Sequence, residues 1–178
     1  WVTPTPQLPM AVRALALARR DGLTVPLVYN CGGYESCDTL RLLDGIVDIY
    51  LPDAKYADDT SSHRYSDAKD YPAVNRDALT EMYRQVGTLT CDDNGIARRG
   101  VLVRHLVLPD DLAGTRAVLE HLRELGGADA AVSVMRQYFP AHRAYEYPEI
   151  SRRITDEEYT TAVDVAEELG LSRAFIQE

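Results

Sequence analysis

Two residues of opposite charge, Asp53 and Lys55, follow a short apolar segment of the chain. The segment, 46–51, begins after Gly45 and ends at Pro52, and its composition is typical of a strand buried on both faces of a parallel sheet. If the strand continues past Pro52, both side chains project to the same side of its C-terminal end, where parallel α/β folds hold their active sites. An acid and a base at that position indicate a candidate catalytic pair.

The rest of the sequence has the pattern of helices that alternate with strands. Helices are predicted from amphipathic spacing and from glycine stops over 8–20, 35–43, 71–86 and 110–125, with a short helix within 56–65 and a last helix that Ser151 or Thr155 caps and that ends at Leu169. Strands are predicted at 24–30, 46–51, 101–109, 130–135 and 173–176, with a hairpin-like excursion at 88–99. This alternation requires right-handed crossovers and a parallel sheet. A closed barrel of eight units needs about 250 residues. We therefore predict one α/β domain over residues 1–178, a partial (β/α) barrel of the TIM type without its first βα unit.

Polar residues follow the predicted strands at the ends where parallel folds place their sites. The predicted register brings five groups to one rim: Thr3 and Thr5, Asn30 with Gly32 and Gly33, Asp53 with Lys55, Arg104 with His105, and Gln137 with Tyr138. Each group has a structural explanation of its own, such as a turn cap for Asn30. Together they favour a functional site, because breaking a buried ion pair costs about 3–5 kcal/mol whereas apolar replacements are often neutral.

Composition excludes several classes of partner. The chain of 178 residues is 46% hydrophobic and has a net charge of -9 without a basic cluster, so its field would repel a phosphate backbone. No apolar run approaches the roughly 18 residues that span a bilayer, and no signal peptide is recognisable. We expect a cytoplasmic protein that binds neither nucleic acid nor membranes. The first residues resemble the end of a strand, and the chain starts at Trp1 rather than Met, so we expect a piece of a longer protein.

The cysteines and histidines give weak signals. Cys31, Cys37 and Cys91 form no C-x-x-C pair, and reduced thiols are the expected state of such residues in a cytosolic chain. A small loop closed by the first two, or half of a metal site, is the alternative. No pair of histidines has metal-ligand spacing, and we predict no metal ligands in the chain.

Four phrases of the sequence carry a family resemblance. They are Pro-Leu-Val-Tyr-Asn-Cys-Gly-Gly-Tyr at 26–34, Val-Asp-Ile-Tyr-Leu-Pro-Asp-Ala-Lys-Tyr at 47–56, Arg-His-Leu-Val-Leu-Pro at 104–109 and Arg-Gln-Tyr-Phe-Pro at 136–140. In this order they resemble the radical S-adenosylmethionine proteins of the pyruvate formate-lyase activating enzyme-like group. The resemblance implies a partial (β/α) barrel that binds a [4Fe-4S] cluster and S-adenosylmethionine and cleaves the latter reductively. The 5'-deoxyadenosyl radical then takes a hydrogen atom, in activating enzymes from a glycine of a partner enzyme.

The resemblance also assigns roles by position. Asn30 and Gly32 match a strand-end Asn-Gly, and Asp53 and Lys55 match an Asp-x-Lys near the cofactor and substrate. Arg104 lies in the strand that supports the nucleoside, whereas Gln137 and Tyr138 lie where the family closes its site. Thr3 to Thr5 occupies the place of a Gly-Gly-Glu that holds the methionine amine. The expected cofactor-binding residues are thus Thr3, Thr5, Asn30, Gly32, Gly33, Arg104, His105, Gln137 and Tyr138.

One hallmark of the family is absent from the sequence. The C-x-x-x-C-x-x-C loop that holds three irons of the cluster does not occur, and Cys31, Cys37 and Cys91 have the wrong spacing to replace it. We therefore expect this chain to be the C-terminal two-thirds or so of such an enzyme and to be inactive alone. The intact protein would hold the cluster and work with an electron donor and a glycyl-radical-type partner.

Two other readings of the same residues stay open. Asp53, Lys55 and Asp58 also fit the D-x-K-x-x-D of orotidine-monophosphate-type decarboxylase barrels, in which the lysine protonates a carbanion. That superfamily also needs a phosphate site after its late strands, for which the chain offers only 136–140. A non-catalytic nucleoside-binding domain would predict nucleoside affinity without cluster chemistry.

Overall fold

The computed structural model describes residues 1–176, which form an α/β sandwich of one sheet and a helical layer. The strands are β1 Val28–Cys31, β2 Ile49–Pro52, β3 Thr90–Cys91, β4 Ala97–Leu106, β5 Ala131–Met135 and β6 Arg173–Ile176. The helices are α1 Leu8–Arg20, α2 Cys37–Arg41, α3 Asp59–Ser66, α4 Tyr71–Val86, α5 Thr115–Gly126 and α6 Asp156–Glu168. Short 3₁₀ turns lie at Thr5–Gln7, Pro109–Asp111, Gly127–Asp129, His142–Glu146 and Pro148–Ile150.

The sheet has the order β1-β2-β4-β5-β6, and these five strands are all parallel. β3 pairs antiparallel with the first half of β4 and forms the predicted hairpin. The segment that precedes α1 runs beside β1. The Thr3 N–H donates to the Asn30 carbonyl at 2.8 Å, and the Asn30 N–H donates to the Trp1 carbonyl at 2.9 Å. The prediction of an α/β fold with a mainly parallel sheet is confirmed, and the sheet is open rather than closed on itself.

Local signals explain most helix ends. α1 and α4 have the predicted bounds, because each carries an apolar stripe, a proline in its first turn and a glycine after its last residue. Thr155 rather than Ser151 caps α6, where it forms a capping box with Glu158. No helix within residues 1–176 has the length and apolar composition that a membrane span requires.

The start of α5 differs from the prediction. Asp110 and Asp111 have φ values of 53° and 51°, so the chain leaves β4 through a left-handed turn and cannot be α-helical there. The Asp111 carboxylate accepts a hydrogen bond from the Thr115 N–H at 2.8 Å and satisfies the first turn of α5. The helix therefore begins five residues after the predicted start.

The two faces of the sheet differ. We call the face covered by α1, α2, α4, α5 and α6 the packed face; its strand residues, fully buried, are Tyr29, Tyr50, Val101, Val103, Val132 and Val134. The alternate residues form the open face. At the amino ends of the strands, Leu89 from the hairpin packs there on Ile49 and Ala131. At the carboxyl ends the open face carries polar side chains and borders a cavity.

Candidate functional site

An ion-pair network joins the carboxyl ends of β1, β2 and β4. Asp53 pairs with Arg104 across the β2–β4 bridge, with Arg104 Nε 2.8 Å and Nη2 2.6 Å from Asp53 Oδ1. Arg104 Nη2 also donates to Asn30 Oδ1 at 2.9 Å. Lys55 Nζ lies 3.0 Å from Asp53 Oδ2. The parallel register makes this possible, because residues at equivalent positions of neighbouring strands share one edge and one face.

The network carries more positive than negative charge. One carboxylate, Asp53, meets two cations, Arg104 and Lys55, so one unit of positive charge is left over. The Asp53 side chain is 12% exposed, that of Arg104 29% and that of Lys55 42%. The carboxylate is thus enclosed, whereas the lysine ammonium can still reach a ligand. A site of this kind favours an anionic group.

A cavity of about 450 Å³ adjoins this network. We call it the polar cavity; it is lined by Asp53, Lys55, Arg104, Leu106, Met135, Gln137, Tyr138 and Phe139. The predicted residues after β5, Gln137 and Tyr138, therefore meet those after β2 and on β4. The Tyr138 hydroxyl donates to the Ile150 carbonyl at 2.8 Å and fixes its ring in the wall. This volume falls within the usual range of small-molecule sites.

The two glycines after β1 have different surroundings. Gly33 has a φ of 74°, and a Cβ there would overlap the Asp53 carbonyl oxygen and the Asn75 side chain. Gly32 is open: its nearest neighbour would be Lys55 Nζ at 4.0 Å. Gly33 thus serves the contact between β1 and β2, and Gly32 leaves room beside the lysine.

Two residues of α4, which the sequence analysis did not single out, hold these strand ends. Asn75 Nδ2 donates to the carbonyl oxygens of Gly33 and Asp53, both at 2.9 Å. The Lys55 N–H donates to the hydroxyl of Tyr71 at 3.0 Å. The available signal was a polar residue, Asn75, on the same helical face as Leu79.

His105 lies away from this site. It is fully buried on the packed face, because it follows Arg104 and successive strand residues point to opposite faces. Its Nδ1 donates to the Ala54 carbonyl at 2.8 Å and its Nε2 accepts from the Thr115 hydroxyl at 3.0 Å. Burial lowers the pKa of the imidazole and favours this neutral form. The structure thus gives His105 a packing role instead of the expected place at the rim.

The two predicted threonines also lie apart from the polar cavity. Thr3 pairs through its backbone with β1. The Thr5 hydroxyl lies 2.9 Å from Glu35 Oε2 and 2.9 Å from the Tyr29 hydroxyl, in a cluster that contains the buried Glu35. Burial raises the pKa of the Glu35 carboxyl, opposed in part by the Thr5 hydrogen bond. Sequence reasoning missed Glu35, because a glutamate before a helix normally reads as exposed.

The three cysteines do not fit the ligand set of an iron–sulfur cluster. Cys31 is buried in β1, Cys37 is partly buried at the start of α2, and Cys91 is exposed in β3. Burial raises the pKa of the Cys31 thiol to about 12, which opposes the thiolate that ligates iron. Within residues 1–176 no group of three or more His, Cys, Asp or Glu side chains is arranged to hold a metal ion.

The D-x-K-x-x-D pattern is only partly assembled. Lys55 forms its ion pair with Asp53. Asp58 instead caps α3, where its carboxylate accepts from the Ser61 N–H at 2.8 Å. One of the two carboxylates that a decarboxylase of this type would place beside its lysine is therefore used for helix capping.

The chain is similar to a protein of known sequence. No known family model matches the chain. Over 170 residues it is 32% identical to an uncharacterized protein of Methanocaldococcus jannaschii, and the match covers 94% of this chain and 45% of that protein. The chain thus spans less than half the length of this relative.

Proposed function

We propose that the carboxyl ends of β1, β2, β4 and β5 bind S-adenosylmethionine, and that the chain is part of a radical S-adenosylmethionine enzyme of the activating-enzyme-like group. The observation that carries the proposal is the network of Asn30, Asp53, Lys55 and Arg104, of which the last three line the polar cavity. The open sheet with its helices on one face supports the finer fold assignment, a partial (β/α) barrel.

The chemistry of the polar cavity suits the parts of this cofactor. The surplus positive charge of Lys55 and Arg104 favours the carboxylate of its methionine portion. The rings of Tyr138 and Phe139 offer apolar surface to a flat purine. Asp53 holds Arg104 and Lys55 in place, and with Lys55 it stays our candidate catalytic pair.

The cluster chemistry lies outside the residues of this chain. In proteins of this group S-adenosylmethionine supplies, when bound at a [4Fe-4S] cluster, the 5'-deoxyadenosyl radical that abstracts hydrogen. Cys31, Cys37 and Cys91 do not fit such a cluster, so we assign its ligands to another part of a longer protein. The greater length of the relative supports this assignment. An electron donor and a glycyl-radical-type partner would serve that intact protein.

Equilibrium dialysis against S-adenosylmethionine tests the binding proposal. We expect saturable binding that weakens about tenfold or more in Lys55→Met, because the variant keeps the apolar stem and loses a charge-assisted hydrogen bond. Adenosine, which lacks the carboxylate, should bind the variant as it binds the original chain. The chain offers a matched control, since its only other lysine, Lys69, lies away from the polar cavity. Absence of saturable binding, or equal affinities in Lys55→Met and Lys69→Met, would overturn the proposal.

A further inference from the structure

A second cavity, of about 280 Å³, lies beside the polar cavity. We call it the aromatic cavity, because five aromatic side chains line it: Tyr56, Tyr65, Tyr138, Phe139 and Tyr147. Much of its wall comes from the segment that follows β5, through the 3₁₀ turns His142–Glu146 and Pro148–Ile150. The sequence predicts a functional role in this segment only at 136–140.

The hydroxyl groups of three of the four tyrosines in this lining are bound to the protein. That of Tyr65 donates to Glu149 Oε1 at 2.9 Å, and that of Tyr138 donates to the Ile150 carbonyl. The hydroxyl of Tyr56 lies 2.9 Å from Ser66 Oγ. Because the polar ends of these three rings are anchored in this way, the rings offer fixed apolar surfaces to an occupant.

The ring faces are shared with a cation of the protein itself. The Arg64 guanidinium lies 5.7 Å from the ring centre of Tyr65 and 5.3 Å from that of Tyr147, and it pairs with Glu149 at 2.6 Å. The two rings also meet edge to face at 5.6 Å. An aromatic cage for an organic cation needs ring faces without a competing charge. Arg64 does not itself line the cavity, whereas the lining cation Arg143 pairs with Glu146 at 2.9 Å. These guanidinium groups disfavour a cationic ligand, and because Glu149 and Glu146 already compensate their charges, an uncharged planar ring is the suitable occupant.

The two cavities share a wall. Tyr138 and Phe139 line both of them, and the neighbours Lys55 and Tyr56 line one each. An occupant of the aromatic cavity would thus lie next to the candidate catalytic pair.

We propose that the aromatic cavity is the substrate pocket of this site and that it takes a substrate with an uncharged planar aromatic ring. Fixed aromatic walls prefer such a ring through offset and edge-to-face contacts. The assignment as a substrate pocket rests on the proposed function, whereas binding of the ring does not.

Binding of p-cresol, followed by ligand-observed NMR and calorimetry, tests the pocket. We expect saturable binding, and about tenfold weaker binding in Tyr147→Leu, which removes an aromatic wall. Tyr145→Leu is the matched control, because Tyr145 belongs to the same segment, is 62% exposed and does not line the cavity. The saturated analogue 4-methylcyclohexanol should bind clearly more weakly than p-cresol.

A second variant tests the cavity without removing an aromatic ring, in case Tyr147→Leu fails to fold. Ala144→Leu keeps every ring and adds volume to the lining, so it should exclude p-cresol. Three results would refute the proposal that the aromatic cavity binds an aromatic ring. They are p-cresol binding that does not saturate, equal affinities for p-cresol and 4-methylcyclohexanol, and equal p-cresol affinities in Tyr147→Leu and Tyr145→Leu. S-adenosylmethionine should bind Tyr147→Leu as it binds the original chain. If the original chain binds p-cresol but not S-adenosylmethionine, only the proposed function is refuted.

Discussion

The packed and open faces of the sheet use neighbouring residues of the same strands for different purposes. Val103 and His105 of β4 are fully buried among the helices. Arg104 lies between them, points to the other face and joins Asp53 and Asn30 beside the polar cavity. In this fold the alternation of side chains along a strand thus separates packing from chemistry.

The two faces also differ in how much their side chains contribute to the free energy of unfolding. A fully buried leucine contributes several kcal/mol through transfer and packing. An ion pair with solvent access, such as Lys55 with Asp53, contributes about 0–1 kcal/mol. We therefore expect stability to depend on the packed face and ligand affinity on the open face.

The largest expected effect comes from two leucines that differ in face. Leu119→Ala in α5 removes a fully buried side chain and should lower the free energy of unfolding by about 2–5 kcal/mol. Leu106→Ala, at the polar cavity, removes a partly exposed side chain and should cost about 1 kcal/mol. Urea unfolding measures both. Equal losses would contradict the division between the faces.

The next effect concerns the adjacent glycines after β1. Gly33→Ala should destabilise the protein by about 2–4 kcal/mol, because the residue has a positive φ and its Cβ would overlap Asp53 and Asn75. Gly32→Ala meets only Lys55 Nζ at 4.0 Å and should stay within about 0.5 kcal/mol. Thermal and urea unfolding compare the two. A stable Gly33→Ala protein would show that the β1–β2 contact can relax.

Much of the fold was predictable because its signals are local. The 8–20 and 71–86 helices follow from an apolar stripe with a glycine stop, and the structure confirms both. Strand bounds were less accurate. β4 begins at Ala97 because pairing with β3 extends it, and that pairing depends on another segment of the chain. Closure of the sheet was equally hard to predict, because it depends on whether the edge strands β1 and β6, which are distant in sequence, meet.

The polar network was predictable in outline. Asp53 and Lys55 stand two apart after an apolar run, and that spacing places them on one side. Arg104 and His105 are adjacent, and grouping them overlooked that one residue along a strand changes the face. Tyr71 and Asn75 were missed because their role depends on tertiary structure, namely on which strand ends α4 contacts.

A smaller effect distinguishes Arg104 from His105 directly. His105→Leu leaves the Ala54 carbonyl and the Thr115 hydroxyl without their partner, at a cost of about 1–3 kcal/mol, and should not change affinity for S-adenosylmethionine. Arg104→Leu should instead lose affinity, and its cost in stability is limited because Lys55 stays paired with the Asp53 carboxylate. Dialysis and urea unfolding of both variants give the answer.

The pH dependence adds a check on His105. Burial lowers the pKa of His105 below its ordinary value of 6.5, so the stability it contributes is present above that pH and is lost as the pH falls through the folded-state pKa. The difference between the original chain and His105→Leu should therefore narrow on acidification. A difference that grows at low pH would mean that the folded state prefers the protonated imidazole.

The smallest expected effect involves Glu35, a carboxylate linked through Thr5 to Tyr29 on the packed face. Burial raises its pKa above the ordinary 4.5, so the stability tied to its proton is present below pH 4.5 and is lost as the pH rises through the folded-state pKa. Glu35→Gln should thus be more stable than the original chain at pH 7.5, by about 1 kcal/mol or less, and the gain should vanish near pH 4. Glu146 is the contrast: it is exposed, Arg143 lowers its pKa, and Glu146→Gln should bring no gain at pH 7.5. Urea unfolding across this pH range decides the matter, since a loss of stability in Glu35→Gln at pH 7.5 would show that the packed face stabilises the ionised carboxylate.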